Sequence, residues 1–296
     1  MYFLTFRKNG KLGLAISRDG KSYRGRLEGD AKYPGSLDDL VRQTSVKREA
    51  AASALLAGEP IELSTVEVLQ PLNSPRKIIC VGLNYRDHAA ESGFQAPDHP
   101  TLFARFASSL IAHEAPIVRP LDSEQLDYEG ELVAVIGKGG RRIKKADALE
   151  HVVGYSILND GSIRDFQRRT PQWTMGKNFD DTGPFGPVLV TADALPPGAR
   201  GLKIQTRLNG KVMQSASTDD LIFDVATLVS EISVGITLSA GDLIVTGTPS
   251  GVGAARKPPV YMKAGDICEV EIDRIGILRN HIVDEPSAAG AERAAR

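Results

Sequence analysis

The chain opens with MYFLTFRKNGKLGLAISRDGKSYRG, in which apolar and polar residues alternate and the dipeptides NG and DG separate the runs. Side chains in a strand point alternately to its two faces. Asn-Gly and Asp-Gly turn a chain back on itself, so the pattern predicts a hairpin or meander. From Ser36 to Leu56 the period changes: LDDLVRQTSVKREAAASALL places apolar residues at roughly helical spacing among strong helix formers. VEVLQPLNSP then closes this unit with proline punctuation.

From Arg76 onward the apolar runs are short and separated by turn residues. KIICVGL, APIVRP, ELVAVIG, VVGYSILND, GPVLVT, LKIQTRLNG, DLIVTG and CEVEID are predicted strands. In NYRDHAAESG, Asn84 can cap, Asp87 follows three residues on and Gly93 terminates, which predicts a short helix over Tyr85 to Ser92. LIFDVATLVSEISVGITL is the one long helical run of this half, with a tail, ISVGITL, able to turn extended. Many short strands and few helices predict an α+β protein that is mainly β. The expected division is a small N-terminal α+β domain over 1–70, a larger domain over 71–285, and a disordered tail over 286–296, where the composition is small and polar.

The 296 residues are 42% hydrophobic and 25% charged with net charge −1. That balance gives no electrostatic case for nucleic acid or for an anionic membrane surface as a partner. No run approaches the roughly 18 apolar residues of a membrane span. The N-terminus carries charge too early for a signal peptide and offers no small-residue cleavage site. Cys80 and Cys268 lie in apolar strand-like runs and are expected as buried, reduced thiols of a cytoplasmic protein.

Chemistry enters with LDYEGELVAVIGKG, where Glu129 and Glu131 sit two residues apart at the mouth of a buried strand. Residues i and i+2 point the same way, and two like charges so placed repel unless something compensates. They either face water or share a cation. Asp160 ends GYSILND, again where an apolar strand meets a loop. Three such carboxylates suit a hard dication, Mg²⁺ or Mn²⁺, better than zinc, for which no Cys or His lies nearby in sequence; equally they read as solvated strand-end charges. Arg164 and Gln167 follow Asp160 at +4 and +7, one stripe if the segment is helical, and offer a donor fork and an amide to a carboxylate; a surface ion pair is the plainer alternative. Lys177 lies in a Gly-, Pro- and Asp-rich loop and can hold an anion or polarise a carbonyl, or simply face solvent. In VTGTPSGVG, Thr248 and nearby backbone N–H groups can cradle a carboxylate. His88 and Glu91, three apart, can form a base and its orienting acid, or a surface contact. Arg105 is a second candidate carboxylate clamp, and His113 is read as structural.

Taken in order, VGLNYRDHAAESG, PTLFARFASSL, LDYEGELVAVIGK, GYSILNDGSIRDFQ, GKNFDDTGPFGP, LNGKVMQSASTDDLIF and GDLIVTGTPSGVG resemble the motifs of the fumarylacetoacetate hydrolase family over about Pro75 to Asn280. The resemblance implies a mixed β-sandwich roll, usually a homodimer, with residues 1–70 as a variable extra domain. It implies Mg²⁺ or Mn²⁺ on Glu129, Glu131 and Asp160. It places Arg164, Gln167, Lys177 and Thr248 around the pyruvate-like end of a small oxo acid, and makes His88 and Glu91 the water-activating pair. Many relatives carry Lys where this chain has Arg105, so the geometry there is expected to differ. The expected activity is hydrolysis of a C–C bond in a 2,4-dioxo acid. Isomerisation of a 2-hydroxymuconate-type dienoate and decarboxylation of oxaloacetate use the same platform, and a non-catalytic oxo-acid binder is the alternative of another class.

Overall fold

Alternation does build the N-terminal meander. In the computed structural model, which describes residues 1–86 and 98–286, strands Tyr2–Lys8, Lys11–Ser17 and Tyr23–Leu27 pair antiparallel in sequence order. Asn9 and Gly10 hold φ of 51° and 77° at the first turn, the backbone that a two-residue type I′ loop requires. The helical stretch divides into Leu37–Val41 and Ser45–Leu56, because Ser36 and Thr44 each take an extended backbone and accept from the first turn that follows. Cap residues of this kind start helices and so interrupt a run that periodicity alone reads as continuous.

The meander is not isolated. Tyr2–Lys8 also pairs with Gly183–Thr191, through Tyr2↔Val190 and Phe3↔Leu189. The resulting sheet runs Glu59–Ile61, Tyr23–Leu27, Lys11–Ser17, Tyr2–Lys8, Gly183–Thr191, Val152–Asn159, Gly130–Ile136, Leu243–Val245, Ile78–Gly82, Thr101–Arg105. A second sheet orders Lys211–Ser217, Lys203–Leu208, Ile267–Ile272, Gly276–Asp284, Ile117–Arg119. Both mix parallel with antiparallel pairs. Each of the eight predicted strands of the larger domain is present. Thr101–Arg105, Lys211–Ser217 and Gly276–Asp284 were not predicted; Lys211–Ser217 is an edge strand, buried only in part, and so lacks an apolar run. The helix Val225–Gly235 is capped by Asp224, which accepts from the Thr227 N–H at 2.8 Å, and the chain turns extended only at Ile236. Most of the helix expected over Tyr85 to Ser92, like nearly all of the expected tail, lies outside the described residues.

The strand Gly130–Ile136 is buried along its whole length. Leu132, Ala134 and Ile136 pack with Ile204, Val270 and Ile272 of the second sheet and with Leu228 and Ile232 of the long helix. Val133 and Val135 pack on the other face with Leu40, Leu55, Cys80 and Val245. Each fully buried side chain of this size contributes about 1.5–3 kcal/mol, so the strand that begins at the two glutamates is fixed on both faces. The architecture is the expected one: α+β, mainly β, two mixed sheets packed as a sandwich. Both cysteines are free and buried. Among the described residues no helix is long and apolar enough to cross a membrane.

Candidate active site

Strand register assembles the acids. Gly130 lies opposite Asn159 in the antiparallel pair, so the end of one strand delivers Asp160 beside the start of the other. The Asp160 N–H donates to the Glu129 carbonyl at 2.8 Å, and the Glu129 N–H donates to Asn159 Oδ1 at 2.9 Å. Glu129, Glu131 and Asp160 each present an oxygen, all within 4.8 Å of one another and all buried. The glycine between the two glutamates is required by packing. A Cβ at Gly130 would meet Thr206 Oγ1 at 2.4 Å and Val270 Cγ1 at 2.8 Å, where the second sheet closes behind the site.

Buried cations surround the acids. Lys177 Nζ donates to Asp160 Oδ2 at 2.5 Å and also to Glu129. Arg164 donates through Nε to Asp127 at 2.8 Å, through Nη2 to Glu129 at 2.5 Å, and through Nη1 to Gln167 Oε1 at 2.8 Å. Burial works against charge on Lys177, but Asp160 and Glu129 outweigh it and raise its pKa; Glu129 and Asp127 do the same for Arg164. Glu131 accepts the Gly247 N–H at 2.5 Å. Burial first, then Asp160 and Glu129, push its carboxyl well above the usual carboxylate range. Four buried carboxylates, Asp127, Glu129, Glu131 and Asp160, thus meet three buried cations, Arg105, Arg164 and Lys177. Clustered hard oxygens with an excess of negative charge fit a divalent cation of the Mg²⁺ or Mn²⁺ type.

A cleft of about 490 Å³ opens over this cluster, and Glu129, Glu131, Arg164, Gln167, Lys177 and Thr248 all line it. Arg105 does not. Its guanidinium lies behind the site, donating to Asp160, to Ser109 Oγ at 3.1 Å and to Thr182 Oγ1 at 2.9 Å. The expected stripe of Asp160, Arg164 and Gln167 holds for the last two. Asp160 precedes the short strand Ser162–Ile163, and the helical turn begins at Arg164. The backbone N–H groups of the loop after Leu243–Val245 hold the protein's own carboxylates: Gly247 serves Glu131, while Gly253 and Ala254 serve Asp127 at 2.8 and 2.9 Å. Thr248 accepts from Gln214 Nε2 at 2.8 Å and donates to the Gly130 carbonyl at 3.0 Å. Asp127 went unread in the sequence, although it precedes Glu129 by two and extends the same spacing of acids. Gln214 and Trp173 carried no comparable signal. His88 and Glu91 lie outside the described residues.

A family model described as fumarylacetoacetate (FAA) hydrolase C-terminal matches residues 77–283. The oxaloacetate tautomerase fahd2 of Xenopus laevis, a mitochondrial protein, is 39% identical over 92% of this chain and 86% of its own. The oxaloacetate tautomerase YisK of Bacillus subtilis is 48% identical over 74% of each chain. Among solved structures, the fumarylacetoacetate hydrolase of Exiguobacterium antarcticum superposes with TM-score 0.83 at 37% identity, covering 96% of this chain and 100% of that one. The maleylpyruvate hydrolase of Sphingobium sp. SYK-6, solved with manganese(II) and pyruvate, gives 0.78 at 28% identity, covering 96% and 99%. With its two packed sheets, its carboxylate triad and these matches over most of its length, the chain belongs to the fumarylacetoacetate hydrolase family.

Proposed function

We propose that the protein interconverts the keto and enol forms of a four-carbon 2-oxo diacid of the oxaloacetate type, with Mg²⁺ or Mn²⁺ held by Glu129, Glu131 and Asp160. The observation that carries this reading is the convergence of three buried carboxylates, two of which, Glu129 and Glu131, line one cleft together with Arg164 and Lys177. Relatives named as oxaloacetate tautomerases, 39% and 48% identical, support the choice of reaction. The divalent cation, when bound, supplies Lewis acidity that lowers the cost of negative charge on a chelated 2-oxo oxygen.

The protein's own groups supply the rest. Arg164 and Gln167, bonded to each other at 2.8 Å, orient the carboxylate next to the oxo group. The Lys177 ammonium faces the same end and stabilises charge developing on the oxo oxygen. Tautomerisation removes a proton from carbon 3 and places one on the 2-oxygen; no water is consumed and no C–C bond breaks. His88, oriented by Glu91, is the proposed proton carrier. Val81, Phe103, Trp173 and Val252 make the adjoining wall apolar, which keeps bulk water away from the reacting carbon.

Hydrolysis of a 2,4-dioxo acid is the second reading. It is favoured by the maleylpyruvate hydrolase neighbour and uses the same His88–Glu91 pair on a water molecule. The test is to add Mn²⁺-loaded protein to enol oxaloacetate, following the enol absorbance, and separately to an acylpyruvate, assaying pyruvate. Accelerated enol decay with the acylpyruvate left intact is expected. Pyruvate release from the acylpyruvate without enol decay overturns tautomerisation in favour of hydrolysis, and pyruvate release from oxaloacetate would indicate decarboxylation. His88→Ala is expected to lose about 10²–10⁴-fold in rate while retaining Mn²⁺ binding.

A further inference from the structure

We propose that Arg168 recognises the distal carboxylate of the substrate and so sets a preference for 2-oxo diacids over 2-oxo monoacids; this rests on the oxo-acid reading of the site given above. Among the described residues, three cations line the cleft: Arg164, Lys177 and Arg168. The first two are held by Asp127, Glu129 and Asp160. Arg168, by contrast, forms no ion pair with any described residue and is exposed at the cleft. Its position follows from the short helical turn Arg164–Gln167: the Arg168 N–H donates to the Arg164 carbonyl at 3.1 Å. Residues four apart on a helix share a face about 5–6 Å apart. Arg168 therefore stands one turn beyond Arg164, whose Nη2 touches the triad at Glu129. That offset is comparable to the length of a four-carbon chain.

The neighbouring arginine does not compete. Arg169 places its guanidinium carbon 3.3 Å from the centroid of the Phe166 ring and is not part of the cleft wall. The described acids on that wall are Glu129 and Glu131, both at the metal end. The rest of the described wall is apolar or neutral, Val81, Leu83, Thr170, Trp173 and Val252 among it. A chelated 2-oxo acid would thus meet negative groups at its inner end and an unpaired guanidinium farther out. A second carboxylate gains a charge-assisted contact there, whereas a methyl terminus gains none.

The experiment compares wild type, Arg168→Gln and Arg168→Lys, all Mn²⁺-loaded. It measures KM for oxaloacetate and the inhibition constants of oxalate, which reaches only the inner end, and of 2-oxobutanoate, which has four carbons and no distal carboxylate. Arg168→Gln is expected to raise the oxaloacetate KM about 10–100-fold, with Arg168→Lys intermediate and both inhibition constants within about twofold of wild type. An unchanged KM overturns the proposal, and so does an equal loss of oxalate and oxaloacetate affinity, which would place Arg168 at the inner end or in structure. Absence of oxaloacetate turnover in wild type would instead overturn the reaction assigned above, so the two failures are distinguishable.

Discussion

Arg105 shows how much a single side chain's direction decides. It is 2% exposed and directed at Asp160, backed by Ser109 and Thr182. It therefore braces Asp160, one of the carboxylates proposed to hold the metal, from outside the cleft wall. Arg105→Met is expected to lower Mn²⁺ affinity about 10–100-fold, as loss of an outer partner of a ligand generally does, and to cost roughly 3–5 kcal/mol in urea unfolding because Asp160 loses a buried partner. Arg105→Lys restores part of both, and a titration that finds Mn²⁺ affinity intact would show Asp160 to be held by other groups. Glu131→Gln preserves shape but removes an anionic oxygen; Mn²⁺ binding is expected to weaken at least about tenfold, measured by calorimetry. The acids themselves were legible in the sequence, because paired carboxylates at the mouth of a buried strand demand compensation. The orientation of Arg105 was not. It follows from the pairing of Ile78–Gly82 with Thr101–Arg105, which puts Arg105 across from Ile78 at the edge of the large sheet.

At the scale of elements, two devices hold the site in place. One is Gly130, where the second sheet approaches too closely for a side chain. Gly130→Ala is expected to destabilise by about 1–3 kcal/mol through overpacking, read as a lower urea midpoint; an unchanged midpoint would show that the sheets can part at no cost. The other is the cap of the long helix that packs on the same core. Burial opposes charge on Asp224, but its bonds to Thr227 win, and its pKa is lowered on folding. A carboxyl lowered in the folded state contributes stability above its unfolded pKa, near 3.9, and loses it as pH falls through the lower folded value. Asp224→Ala is expected to cost about 1 kcal/mol at neutral pH and to flatten the acid limb of the stability profile below about pH 4. A variant with the same acid dependence as wild type would remove Asp224 from that limb.

Across the whole molecule, the proposed metal site would couple metal binding to folding. Its three carboxylates lie in the strand Gly130–Ile136, just before it, and just after Val152–Asn159, and the unfolded chain does not bring them together. Mn²⁺ at a hundredfold its Kd is expected to add about 2.7 kcal/mol to unfolding, visible as a rise in Tm that Glu131→Gln reduces at the same metal concentration; a flat response would dissolve the site. The homodimer implied by the family resemblance would appear in light scattering at twice the 31.8 kDa chain mass, and a monomer would remove that expectation. By itself the sequence determined where most of the strands lie, that the protein is mainly β, and that acids cluster at strand ends, because period, turn residues and the cost of like charges are local facts. Only the tertiary structure decided that Asp127 joins the cluster, that the loop amides serve protein carboxylates, and that Arg168 rather than Arg105 faces the cleft. Those outcomes depend on which strands become neighbours and in what register, and contacts between residues distant in the chain leave no local period to read.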